Sequence, residues 1–228
     1  MATPSPSPPP LQCGATATHT IEVAGITREF QLYLPASACS AVDGGSSAAL
    51  VVCLHGKWQD SSWACDAMCT PFAEEYGFVA ACPQGLRDTH QVQGWNTGEG
   101  SGFSGDDTGL VRAMVAHVDQ RVYPHGGRVY AAGFSMGGGM AYRLLCEASD
   151  LLSGVAIFAA PGPYGSDTRS ELGTGDGASW VQSCSSATRL PLWAGIGTQD
   201  TIFVDTANTR LGWDTMSRTA LGCSGSPY

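Results

Sequence analysis

Apolar residues along this chain fall into two kinds of run. Ala49–Gly56 (ALVVCLHG), Phe78–Cys82 (FVAAC), Arg128–Phe134 (RVYAAGF), Gly154–Ala160 (GVAIFAA) and Leu190–Gly197 (LPLWAGIG) are short and nearly continuous, as expected of strands covered on both faces. Between them apolar residues recur at helical spacing. Trp63, Met68, Phe72 and Tyr76 follow a cap at Asp60 or Ser61. Leu110, Val111, Met114, Val115 and Val118 form a second stripe, and Met136–Cys146 reads as a third helix. Earlier, Ile21–Val23 and Arg28–Leu34 flank Ala24-Gly25 as a hairpin, which Pro35 ends. Strands alternating with helices predict an α/β domain with a mostly parallel central sheet flanked by helices. No repeat and no second domain is visible. Residues 1–12 are rich in Pro and Ser and read as a tail or linker, with the domain at 13–228. That stretch has neither a basic region nor an apolar one, so it does not read as a secretory signal. Two accounts fit it: a tail at a true start, or a start codon placed inside a longer gene. No apolar run approaches the length of a membrane span.

Composition narrows the partners. The 228 residues include 20 acidic against 11 basic ones, a formal charge of −9, and that balance argues against nucleic acid or an anionic membrane surface as a partner. Lys57 is the single lysine and does not close a glycine loop, which removes a nucleotide-binding P-loop. Nine cysteines point to an oxidising compartment, hence a secreted protein, yet nine cannot all pair within one molecule.

The strongest chemical signal is GFSMG, Gly133–Gly137. A strand-like run precedes Ser135 and a helix-compatible run follows it. That context puts the serine on a sharp elbow above the sheet edge, beside a helix N-terminus that favours negative charge. Ser135 is the expected nucleophile, and the Met136 N–H one oxyanion donor. Leu54-His55-Gly56 ends an early strand, and the N–H of Lys57 just after it is the expected second donor. His55 invites a general-base reading, but a histidine there more often orients its loop by hydrogen bonds. GTQD, Gly197–Asp200, follows another strand, where a Ser…Asp…His order puts the acid; Asp205 is a nearby alternative. Asp106-Asp107 reads as the cap and first-turn charge of the Leu110 helix. Zinc at Cys65, Cys69 and His55 lacks a fourth ligand, so no metal and no cofactor is expected.

LVVCLHG, FVAACPQG, GWN, SGDDTGLVRAMV, RVYAAGFSMGGGMAYRLLC and GIGTQD occur in an order and at spacings that resemble the esterases grouping polyhydroxyalkanoate depolymerases with feruloyl and acetylxylan esterases. The resemblance covers Cys13 to Cys223. It implies an α/β-hydrolase fold, Ser135 as nucleophile, Asp200 as triad acid and Trp95 beside the cleft, so that Trp95 and His55 are the expected substrate-binding residues. It also implies a Cys146–Cys184 pair; Cys65 and Cys69 are open between a mutual bridge and two packed thiols. One departure matters: in that family the triad histidine follows the acid, whereas His19, His55, His90, His117 and His125 all precede Asp200. His117 reads as solvated on the polar side of its helix, His125 as a turn residue, and His19 as preceding the first strand. Only His90 has a route to the cleft. The expectation is therefore a chain lacking the last strand, histidine and helix of its fold, with Cys223 deprived of its partner. The implied activity is hydrolysis of hydroxycinnamoyl, acetyl or hydroxyalkanoate esters of a polymer, weak or absent in residues 1–228. A catalytically silent binding protein is the alternative, and a serine peptidase on the same fold a third reading.

Overall fold

The computed structural model describes residues 12–38, 47–98, 101–121, 126–160, 190–197 and 199–200. Its strands are β1 (Ala15–Val23), β2 (Ile26–Leu34), β3 (Leu50–Leu54), β4 (Val79–Pro83), β7 (Val129–Phe134), β8 (Gly154–Phe158) and β9 (Leu192–Gly195), with a small ribbon of β5 (Leu86–Arg87) and β6 (Gln93–Gly94). The seven form one sheet in the order β1-β2-β4-β3-β7-β8-β9. β1 pairs antiparallel with β2 and β2 with β4; every other pairing in this sheet is parallel. The mostly parallel sheet and its flanking helices match the sequence expectation. The hairpin does too, although β1 begins six residues earlier than the apolar run suggested.

Strand alternation sorts the side chains onto two faces. Phe30, Leu32, Leu50, Val52, Leu54, Val79, Ala81, Val129 and Ala131 enter the larger core with α2 (Asp107–Arg121) and α3 (Met136–Glu147). Tyr33, Cys53, Ala80 and Cys82 enter a smaller core on the other face. There they meet α1, built of an α-helical turn Ser61–Trp63, a π-helical stretch Ala64–Cys69 and a further α-helical stretch Thr70–Tyr76. This division follows from handedness. The β3→β4 crossover runs one way across the sheet, while β4→β7 and β7→β8 run the other, so right-handed connections put their helices on opposite faces. Over β7–β9, the face that α1 occupies leaves Tyr130, Phe158 and Trp193 exposed, with the last two rings 4.9 Å apart.

α1 departs from its predicted face. Phe72 and Tyr76 are exposed, and the helix buries Ala64, Cys65, Cys69 and Ala73 instead. The cause is covalent. Cys53–Cys69 and Cys65–Cys82 staple the helix to β3 and β4, which corrects the expectation of a Cys65–Cys69 bridge or two free thiols. Each bridge closes a loop of 16 or 17 residues, a constraint on the unfolded chain of about 3 kcal/mol. Asp60 caps the first turn by accepting from Trp63 N–H at 2.9 Å. Cys13 and Cys146 are disulfide-bonded as well; Cys184 and Cys223 lie outside the described residues, as does His125.

Two histidines also sit differently from expectation. His19 lies within β1, buried and stacked on Phe30 at 5.1 Å. His117 on α2 meets both rings edge-on, at 5.5 and 5.7 Å, so it is not a solvated residue. Apolar spacing alone could not reveal this, because the pairing of β1 with β2 is what brings an edge strand over α2. Burial, followed by the nearby His117, pushes the His19 pKa below its ordinary value. A lowered folded pKa means the unfolded chain binds the proton more readily. Stability contributed here is complete above pH 6.5 and is lost as pH falls through 6.5 towards the folded value. Denaturant midpoints should fall between pH 7.5 and 5, and His19→Phe, which keeps the stacked ring, should flatten that slope. An unchanged slope would contradict this assignment.

Candidate active site

The order of strands reverses at β3: its successor β4 lies on one side, and β7 on the other. In open α/β sheets ligands bind outside the carboxyl ends of strands at such a point. Ser135 ends β7 and His55-Gly56 ends β3, so neighbouring strands deliver both to this edge. Ser135 has φ 54 and ψ −120, a strained conformation for a non-glycine residue. Three backbone bonds hold it. Its N–H donates to Phe158 O at 3.0 Å, and its carbonyl accepts from Gly138 and Gly139 N–H at 2.9 and 3.2 Å. The Ser135 hydroxyl makes no capping bond to α3, and the residue is half-buried rather than sealed. Met136 opens α3, where the first N–H groups have no intrahelical acceptor and the dipole favours an anion.

Absent side chains allow this closeness. A Cβ on Gly137 would lie 2.2 Å from Leu54 O and 2.5 Å from His55 O, so α3 starts directly against the β3 loop. A Cβ on Gly56 would lie 3.2 Å from that of Ser135. The structure thus brings GFSMG and LHG together, and Lys57 follows at once. Gly137→Ala should cost about 3 kcal/mol, because backbone carbonyls cannot rotate away from the added methyl. A fall in thermal midpoint of only a degree or two would contradict that contact.

His55 is fully buried with both ring nitrogens engaged. Nδ1 lies 2.7 Å from Gly56 O, and Nε2 accepts from Gly85 N–H at 3.0 Å. That fixes the Nδ1–H tautomer. Burial lowers the His55 pKa despite the opposing bond to Gly56. The ring is neutral and already bonded, an orienting group with no lone pair to act as base. Trp95 is equally enclosed: its indole N–H donates to His55 O at 2.7 Å, and the two rings are 4.6 Å apart. The expectation that Trp95 and His55 bind substrate therefore needs correction. Neither exposes surface to a ligand; they brace the loop that carries Gly56 and Lys57.

The rest of GWN is also bracing. Asn96 N–H donates to Asp107 Oδ2 at 2.7 Å, its side-chain amide donates to Gly105 O, and Arg143 donates to Asn96 O. Asp106 caps α2 through Gly109 N–H, as expected, but Asp107 does more than charge the first turn. It forms a buried ion pair with Arg28 at 2.7 Å, and Arg28 also donates to Gln84 O. Sequence reasoning missed Arg28 because its partner lies 79 residues away.

Asp200 follows β9, two strands from β7 in the same parallel set, and so ends at the same sheet edge. It is half-buried, its N–H bonded to Gly197 O at 3.0 Å. Asp205 lies outside the described residues. His90 is exposed in the loop before β6, its N–H bonded to Asp88. Among the described residues no group of three or more His, Cys, Asp or Glu is placed to hold a metal ion.

A serine on a strained strand-to-helix elbow, at the edge of a mostly parallel sheet with helices on both faces, defines an α/β-hydrolase. The chain belongs to the esterase PHB depolymerase family, whose model matches residues 28–166. It is 29% identical over 175 residues to a poly(3-hydroxybutyrate) depolymerase of Ralstonia pickettii, covering 72% of this chain and 34% of that protein. It is 26% identical over 206 residues to feruloyl esterase B of Piromyces equi, covering 82% of this chain and 35% of that one. The chain thus spans about a third of the length of these curated relatives. A solved ferulic acid esterase superposes with a TM-score of 0.67 at 18% identity, covering 92% of this chain and 88% of that one. The fluorophosphonate-binding serine hydrolase F of Staphylococcus aureus superposes at 0.64 with 17% identity, over 91% and 87% of the two chains. These superpositions share the fold.

Proposed function

We propose that the chain is a serine carboxylic-ester hydrolase in which Ser135 attacks an ester carbonyl. The observation that carries this reading is the Ser135 elbow pressed against Gly56. The nucleophile, the α3 N-terminus and the β3 loop converge so closely that an added Cβ on Gly137 would run into the Leu54 and His55 carbonyls and one on Gly56 would crowd Ser135. The tetrahedral oxyanion formed on attack takes hydrogen bonds from Met136 and Lys57 N–H. Asp200 at the shared sheet edge serves to orient an imidazole, which takes the Ser135 proton and returns it to the leaving alcohol. Family membership and the two curated relatives support hydroxycinnamoyl, acetyl or hydroxyalkanoate esters of a polymer as substrates. The Cys53–Cys69 and Cys65–Cys82 disulfides, with Cys13 and Cys146 bonded as well, support an exported protein.

The base sets the rate. His55 is bonded at both nitrogens, and His19, stacked on Phe30 with His117 edge-on to both rings, lies on β1, four strands across the sheet from β7. Turnover of p-nitrophenyl acetate by residues 1–228, after subtraction of the protein-free rate at the same imidazole concentration, should therefore be slow and should rise severalfold with added imidazole in the tens of millimolar, a range chosen for a weakly bound external base. Brisk turnover insensitive to imidazole would contradict the assignment of the base. No acceleration of ester cleavage over buffer, with or without imidazole, would favour a silent binding protein.

A further inference from the structure

Trp58 is a large apolar residue that the fold exposes rather than buries, with 66% of its surface open. It has φ 67, a left-handed conformation that is strained for a bulky non-glycine residue. An asparagine or glycine would meet the same turn with less strain, and a polar side chain would suit the exposure better. The turn is nevertheless held firmly. Trp58 N–H donates to Gln93 O at 2.9 Å, Gln59 N–H to Gly56 O at 3.2 Å, and Gly56 N–H to the Gln59 side-chain oxygen at 2.8 Å. The Lys57 ammonium sits 4.9 Å from the centre of the indole, a cation–π contact that restricts the ring. Trp58 is two residues beyond Gly56, within about 7 Å along the chain, and Gly56 abuts Ser135.

We propose that Trp58 is a specificity-determining residue whose indole forms a platform at the mouth of the Ser135 site, stacking against a flat ring of the bound ester. The inference rests on the ester-hydrolase reading and deepens it by naming what recognises the part of the substrate beyond the scissile bond. A rigid ring held in solvent beside a nucleophile gives up little conformational freedom on binding, which is what makes exposed tryptophan an effective contact surface. The ring it meets has one of two sources, an aromatic acyl group or the face of a sugar in the alcohol.

The experiment is an NMR titration of wild-type chain, Trp58→Ala and Trp58→Phe with methyl cinnamate, methyl β-xylopyranoside and ethyl butyrate. The wild type should bind one of the two ring-bearing ligands, Trp58→Ala should bind it roughly three- to tenfold more weakly, and Trp58→Phe should lie between. Ethyl butyrate, which has no ring, should bind both variants as it binds the wild type. A loss confined to methyl cinnamate assigns the platform to the acyl side, and one confined to the xyloside to the alcohol side. Three results overturn the proposal: no binding of either ring-bearing ligand, equal affinity in Trp58→Ala, or equal losses for all three ligands, which would mean that Trp58 only holds its turn. Reaction of the wild-type chain with a small ringless fluorophosphonate, in the presence of imidazole, separates the two levels. Capture with unaltered ring binding in Trp58→Ala sinks the platform alone, whereas absence of capture sinks the hydrolase reading.

Discussion

Ser135→Ala is expected to abolish the imidazole-assisted gain in ester turnover, a severalfold fall to the level that the oxyanion donors and binding alone supply. The size of the effect follows from what the hydroxyl does not do. It forms no cap to α3, and the elbow is held by backbone bonds to Phe158, Gly138 and Gly139, none of which the substitution removes. Far-UV circular dichroism and the denaturation midpoint should therefore stay near wild type while that gain disappears. A variant whose turnover still rose with imidazole as the wild type's does would mean that another group performs the attack.

Arg28→Ala is expected to destabilise the chain by about 3 to 5 kcal/mol, because it strands the Asp107 carboxylate in a site from which water is excluded. Both side chains are nearly inaccessible, at 2% and 1% exposure, so solvent screens little of the loss. The damage should also reach the site. Asp107 accepts from Asn96 N–H, and neighbouring Trp95 bonds His55 O, so a displaced Asp107 loosens the loop behind Gly56. Replacing both partners with apolar residues of similar volume, Arg28→Met with Asp107→Leu, should recover much of the stability. Urea denaturation of the two variants checks this; a loss under 1 kcal/mol in Arg28→Ala would show that the pair is not sealed from water.

The parts of the site that depend on local order were legible in the sequence. A strand, a five-residue motif with glycine at both ends and a helix can be read as an elbow because each piece leaves its own pattern around Ser135. The β3 loop at His55-Gly56 was legible for the same reason, as the end of an apolar run. Hidden in the sequence were relations across distance. Arg28 and Asp107 are ordinary charges until the sheet brings β2 against the start of α2. His19 and His117 became one cluster only through the β1–β2 pairing. Trp95 is a cleft residue by the resemblance alone, yet its loop folds inward and its indole N–H bonds His55 O. Trp58 drew no notice from pattern at all; only its exposure and its backbone conformation mark it. The face of α1 was misjudged because covalent staples outrank hydrophobic spacing, and disulfide partners cannot be read from cysteine positions alone.

The central claim is that Ser135 is an activated nucleophile at this sheet edge. Mass spectrometry of the intact chain after incubation with a fluorophosphonate and imidazole, followed by peptide mapping, tests it most directly. The account predicts a single adduct on the peptide that contains Ser135, absent from Ser135→Ala. No adduct on the wild-type chain, or one that persists in Ser135→Ala, would contradict it.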